Sequence, residues 1–276
     1  MKLRVLTALI LGPAMLWVIG WAPKWLFVLV LIAVIERGLA EYFQIVKHAG
    51  FSAIPALGYF AAPALCLAQI IEWEYPPPAA VAGATACVLI VVLVFVVLLG
   101  LQRKVELRNY LSGTATTLFG VMYIGFMLSW LVPLRFSGFP DAQQITVLVF
   151  LVVAFSDIFA YLIGKLIGRT LLVPRISPGK TLEGSIAGFV GGLLVGVVYA
   201  RYFWRTDSLK KAILWSALIA IAAQLGDLVE SAMKRAGDMK DSGTLLPGHG
   251  GLLDRIDSLI LAVPVMWITI VLGRSW

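Results

Sequence analysis

Apolar residues fall in nine long runs, at 5–21, 25–46, 54–71, 79–99, 111–131, 145–167, 185–202, 209–234 and 252–272, separated by short polar breaks. Most approach the roughly 20 residues a helix needs to cross hydrocarbon. The pattern predicts an all-α, polytopic integral membrane protein of about nine transmembrane helices, with residues 1–276 as one membrane-embedded domain. The first run follows Met1–Arg4, lacks a small-residue cleavage site and leads through Pro23 into the next, so it reads as a retained span. The second carries Glu36, Arg37 and Glu41, which face either a cavity or partner within the span or interfacial water at its end. Pro76, Pro77 and Pro78 enforce a sharp break after the third. The fourth is the purest, its second half nearly all Val and Leu, and is expected to face lipid. The sixth contains Ser156, Asp157 and Tyr161, with Asp157 and Tyr161 on one face at i, i+4. The seventh is glycine-rich and suited to close helix packing.

Composition agrees with this reading. With 61% hydrophobic and 13% charged residues, the chain lies far from soluble proteins, and its mean hydropathy is +0.95. A net charge of +7 does not point to nucleic acid, because the basic residues are scattered through the loops between apolar runs. With an internal N-terminus, 14 of the 22 lysines and arginines fall on the inner side, 7 on the outer, and Arg37 within a span. This favours N-in and C-out, the exception being the outer loop with Arg201, Arg205, Lys210 and Lys211. Cys66 and Cys87 sit in apolar runs and are expected to be small buried hydrophobes.

Against this background one polar run stands out, Ser231 to Asp257. It interleaves Lys234, Arg235, Asp238, Lys240, Asp241, His249, Asp254, Arg255 and Asp257 with five glycines. Lysine and arginine hold phosphate oxygens, aspartates hold hard cations, and glycines let backbone amides approach a ligand. A second polar stretch, Gly168 to Gly184, ends in SPGKTLEG. It lacks the Walker A spacing, but Ser177, Lys180, Thr181 and backbone amides suit a phosphate or nucleotide. The topology puts both stretches on the inner side. Antiparallel eighth and ninth helices would bring Asp227 and Asp254 to similar depth, a plausible Mg²⁺ pair; Asp227, Ser231 and Lys234 share a helix face. Taken singly, Asp227, Asp254 and Asp257 each favour plain charge neutralisation by Lys234, Arg235 and Arg255; taken with the glycines, His249 and SPGKTLEG, they favour a metal site. His249 suits a phosphate contact, an acid or a cap. No serine, histidine and acid arrangement points to hydrolysis.

Ser231, Met233, Lys234, Arg235, Lys240, Asp241, Gly243, Leu246, Pro247, His249, Gly250, Gly251, Leu252, Asp254, Arg255, Ile256 and Asp257 stand at the spacing of a known signature. In these positions the chain resembles the phosphatidate cytidylyltransferases, or CDP-diacylglycerol synthases. Gly226, Asp227, the Asp157 to Tyr161 stretch and SPGKTLEG extend the resemblance, which is concentrated in 150–258; the N-terminal half matches only in hydropathy and length. The resemblance implies a multi-pass inner-membrane enzyme, a homodimer, with its active site facing the cytoplasm. It would transfer the CMP moiety of CTP to phosphatidate, giving CDP-diacylglycerol and pyrophosphate. It also implies metal on Asp227 and Asp254 and Mg²⁺ as cofactor with room for K⁺ beside it; from the chemistry of the residues themselves, Asp241 and Asp257 are expected to orient ligands. Lys180, Lys234, Arg235, Lys240 and Arg255 would hold phosphates. The rival readings are a CTP-dependent polyprenol or phytol kinase, which would release CDP, and a phosphate or lipid transporter, against which the absence of a paired internal repeat argues.

Overall fold

The computed structural model describes residues 2–74, 83–102, 107–139, 141–205, 208–245 and 250–272. The described residues are mostly helical. Helices α1 (Lys2–Trp21), α2 (Lys24–His48), α3 (Pro55–Glu74) and α4 (Ala84–Gln102) follow the first four apolar runs. The fifth run is composite: α5 (Leu107–Gly120), a π-helical stretch Val121–Phe126, and the short α6 (Met127–Ser129) and α7 (Leu131–Phe136). Then come α8 (Ala142–Ile167), α9 (Leu182–Tyr199) with a π-helical end Ala200–Trp204, α10 (Leu209–Ala236) and α11 (Leu253–Leu272). Among the described residues, six helical stretches are long and apolar enough to cross a membrane: Pro55–Trp73, Tyr110–Phe136, Ala142–Ile167, Leu182–Trp204, Leu209–Ala236 and Leu253–Leu272. The charges of α2 keep it out of that set, and the described apolar parts of α1 and α4 are shorter. The protein is a multi-pass membrane protein.

Two compact units divide the chain. One comprises Met1–Ala142 and Met233–Arg255, the other Gln143–Ala232 and Ile256–Trp276. In the first, Ala61 and Leu65 of α3, Val92 and Val96 of α4, and Val121 form a buried cluster. The apolar stripe of α2 buries Phe27, Leu31, Ile35 and Leu39 at four-residue steps, the spacing of one helix face. Tyr42 donates its hydroxyl to the Thr116 carbonyl at 2.8 Å, and a Cβ at Gly120 would strike the same ring, so α5 lies hard against α2. Arg135 donates from Nε and Nη2 to the carbonyls of Ile19 and Gly20 at 2.9 and 2.8 Å, closing the C-terminal end of α1. The outward residues of α4, among them Ile90, Val91, Val94 and Phe95, are exposed, as hydrocarbon-facing residues are. Cys66 is buried as expected, whereas Cys87 is exposed, because it lies on α4.

In the second unit, Gly184, Gly188 and Gly192 of α9 bring its backbone onto α8. A Cβ at these positions would lie 2.7, 2.8 and 3.1 Å from the carbonyl oxygens of Ala160, Ser156 and Val152. The polar stretch from Gly168 to Gly184 contains a small hairpin. Strand β1 (Leu171–Val173) pairs antiparallel with β2 (Ser177–Thr181), with Leu171 opposite Thr181 and Val173 opposite Ser177. Thr181 then caps α9 by accepting from the Gly184 amide at 3.2 Å. Glu183, in the first turn, accepts from the amides of Arg169 and Thr170 at 3.1 Å and ties the hairpin base to the helix.

Candidate functional site

In the second unit, a carboxylate cluster grows from α10 and α11. Asp227 and Glu230 stand at i, i+3 and project from one face of α10. Asp257 comes from α11, and Gly226 sets the approach: a Cβ there would overlap the Asp257 carbonyl oxygen. One carboxylate oxygen from each of Asp227, Glu230 and Asp257 lies within 4.8 Å of the others. Glu230 is 0% exposed and Asp257 7%. Asp257 also accepts from the Ser258 amide at 2.7 Å, and the Ser258 hydroxyl lies 3.4 and 3.5 Å from the carboxylate of Asp157 on α8. From β2, Lys180 reaches Asp227 at 2.7 Å and the Ser231 hydroxyl at 3.5 Å. Three carboxylates held so close, two of them buried, repel unless a cation or shared protons offset them. The donors are all hard oxygen and one side is partly open, which fits a divalent cation such as Mg²⁺ that keeps water or phosphate in its other positions.

In the first unit, the end of α10 and the start of α11 build a different arrangement. The helix α10 stops as Asp238 takes the left-handed conformation, φ 53°, with the Met239 amide bonded to the Lys234 carbonyl at 2.8 Å. Lys234 pairs with Asp254 Oδ1, the two side chains being 14% and 7% exposed. Asp254 Oδ2 accepts from the amides of Ser242 and Gly251 at 2.9 and 2.8 Å, and the Ser242 hydroxyl lies 3.0 Å away. Gly250 has φ +80°, and a Cβ there would lie 2.7 Å from Asp254 Oδ2, so only glycine fits. Glu41 of α2, wholly buried, receives the Ser242 hydroxyl and the amides of Leu252 and Leu253 at 2.8, 3.0 and 2.8 Å.

Of the residues singled out from sequence, Asp227, Asp257, Lys180 and Ser231 gather in the second unit, and Lys234 and Asp254 in the first. Arg235, Lys240, Asp241 and Arg255 are exposed on the first unit, and Ser177 lies on β2. The Thr181 hydroxyl is engaged as a helix cap. His249 lies outside the described residues. Sequence reasoning passed over Glu230 and Ser242 and left Glu41 open. The i, i+3 step from Asp227 signals Glu230, whereas Ser242 carries no signal beyond its place in the polar run.

Fold and side chains together define an integral membrane protein with lysines paired to aspartates and a tight cluster of hard oxygen donors. The chain belongs to the cytidylyltransferase family, whose model matches residues 2–272. It is 34% identical over 300 residues to a phosphatidate cytidylyltransferase of Synechocystis sp., covering 98% of this chain and 96% of that protein. A protein of the same name from Brucella abortus is 33% identical over 278 residues, covering 97% and 92%. One from Staphylococcus haemolyticus is 38% identical over 157 residues, covering 57% and 59%.

Proposed function

We propose that this chain transfers the CMP moiety of CTP to phosphatidate, forming CDP-diacylglycerol and releasing pyrophosphate. The observation that carries this reading is the match along nearly the whole chain to relatives named phosphatidate cytidylyltransferase. Those names favour cytidylyl transfer over the kinase and transporter readings.

In this reaction a phosphatidate oxygen attacks the α-phosphorus of CTP and the bond to the bridging oxygen of pyrophosphate breaks. The nucleophile is a phosphomonoester whose second pKa is about 6, so it is largely ionised at neutral pH and needs no strong general base. The demand is to hold two polyanions in line and to stabilise the leaving charge. Lys180, Lys234, Arg235, Lys240 and Arg255 supply the cations for the phosphates, with Ser177, Ser231 and Thr181 nearby in sequence as polar contacts and His249 as a further phosphate contact. Mg²⁺, when bound, would neutralise phosphate charge and orient the leaving group. In the second unit we assign Asp227 as a metal ligand, with Glu230 and Asp257 as added donors beside it; in the first we assign Asp254, with Asp241 orienting ligands. The enzyme would sit in the cytoplasmic membrane as a homodimer, its polar stretches facing the cytoplasm, which supplies CTP; the distribution of basic loops supports that orientation.

The test is a mixed-micelle assay with phosphatidate and CTP labelled in the α-phosphate, with and without Mg²⁺, on the wild type and Asp254→Asn. Label should enter the lipid only with Mg²⁺ and be lost in the variant. A folded wild type that transfers no label to lipid refutes the reading. An active wild type with an equally active Asp254→Asn removes Asp254 from the site.

A further inference from the structure

We propose that Glu41, far from the polar run in sequence, is a positioning residue for the reaction: it fixes the loop after α10 and the first turn of α11, and through them the orientation of Asp254. The inference rests on the cytidylyltransferase reading for the chemistry that Asp254 serves. Glu41 lies in the C-terminal half of α2, wholly buried and flanked on its helix face by the buried Gly38 and Ile45, where a carboxylate is costly to desolvate. It is kept there by four donors. Oε1 accepts from Arg37 Nε at 3.2 Å and from the Leu252 amide at 3.0 Å. Oε2 accepts from the Leu253 amide at 2.8 Å and from the Ser242 hydroxyl at 2.8 Å. The Leu252 and Leu253 amides are among the N-terminal donors that α11 cannot satisfy itself, so the capping carboxylate of this helix arrives from another helix, more than 200 residues earlier in the chain.

A plain cap would stop at those two amides. The contact with Ser242 goes further, because the same residue holds Asp254. Its amide donates to Asp254 Oδ2 at 2.9 Å while its hydroxyl sits 2.8 Å from Glu41 Oε2 and 3.0 Å from Asp254 Oδ2. The hydroxyl carries one proton and faces two carboxylates, so it can donate to only one of them at a time. The glycines on either side make room for the arrangement. A Cβ at Gly243 would lie 2.8 Å from Glu41 Oε1, and one at Gly251 would overlap both Ser242 Oγ and Glu41 Oε2. Both ends of the loop therefore converge on one buried carboxylate. Asp254, which takes amides from both ends and pairs with Lys234, inherits its geometry from that closure.

Purified full-length wild type, Glu41→Gln, Ser242→Ala and the double variant would be compared in mixed micelles. The readouts are kcat, KM for CTP and for phosphatidate, thermal melting, and amide hydrogen exchange of peptides covering 250–254. Glu41→Gln keeps the shape but puts an NH₂ group where an acceptor stood. It should lower kcat per folded molecule about 10- to 100-fold, as loss of a group supporting a ligand does, with both KM values within about two-fold. Exchange at 250–254 should rise, and the loss in the double variant should be less than the product of the single losses. The proposal is overturned if Glu41→Gln keeps wild-type kcat per folded molecule, or if the two losses multiply. It is also overturned if exchange at 250–254 is unchanged. Should Glu41→Gln fail to fold, Ser242→Ala decides, with a fall in kcat at unchanged KM expected and an unchanged kcat overturning it. An inactive wild type sinks the cytidylyltransferase reading alone, since the exchange measurement still judges the clamp.

Discussion

Glu230 offers a sharp test, because replacing it should move stability and activity in opposite directions. Its carboxylate is wholly buried beside those of Asp227 and Asp257, with oxygens within 4.8 Å of one another. At that separation and an effective dielectric constant of about 20, two carboxylates repel by about 3.5 kcal/mol. Lys180 offsets part of the charge on Asp227. Glu230→Gln keeps the volume and removes two such repulsions. In EDTA the variant should therefore melt several degrees higher than the wild type, given about 2–4 °C per kcal/mol for a chain of this size. If the cluster seats a divalent cation, the same change should raise the Mg²⁺ concentration for half-maximal activity at least about 10-fold. The assay is a thermal melt in EDTA beside a Mg²⁺ titration of lipid labelling. A variant that melts no higher than wild type in EDTA, with its Mg²⁺ dependence unchanged, would refute the reasoning, since the carboxylates would then be neutralised without a metal.

Three further outcomes follow from the geometry. Lys180→Met breaks the 2.7 Å pair with Asp227 and removes a phosphate cation; kcat/KM for CTP, from initial rates over a CTP series, should fall about 10- to 100-fold, or about 1.4–2.7 kcal/mol of transition-state stabilisation. Asp254→Asn leaves a mostly buried Lys234 without its carboxylate and should cost about 3–5 kcal/mol, so the melting temperature falls. Adding Lys234→Met should recover much of that stability with no recovery of lipid labelling. Thr181→Ala removes the cap of α9 and should cost about 1 kcal/mol, read as a small drop in melting temperature.

The helices were legible because hydrocarbon forces every backbone group in a span to bond within its own helix, so an apolar run of sufficient length has few other choices. The runs at 209–234 and 252–272 became Leu209–Ala236 and Leu253–Leu272 with ends shifted by a residue or two. The hairpin of β1 and β2 escaped notice for the opposite reason. Its strands are three and five residues long, too short for an alternating pattern, and its base is held by Glu183, which the sequence alone shows only as an acid at the start of a helix. The π-helical stretch at Val121–Phe126 has no sequence signal either. It lies one turn beyond Thr116, whose carbonyl accepts the Tyr42 hydroxyl, and follows Gly120, pressed against the Tyr42 ring, features that exist only once α2 and α5 have packed.

The polar groups show where such reading stops. A charge in an apolar run announces that a partner must exist, since leaving it bare in the interior costs more than the fold can spare. It does not name the partner. Asp227 and Glu230 were within reach of helical spacing alone, but Asp257 joins them only because Gly226 lets the two backbones touch. Glu41 is the extreme case, with its loop partner 201 residues away. Its complete burial restricts its partners to groups that can be brought inside, and a loop rich in glycine has backbone amides to spare for that purpose. Read together, a buried acid and a glycine-rich run are complementary: one lacks donors, the other has donors without side chains in the way. That complementarity is readable in the sequence itself, and it makes glycine-rich loops the first place to look for the partner of an unexplained charge in an apolar run.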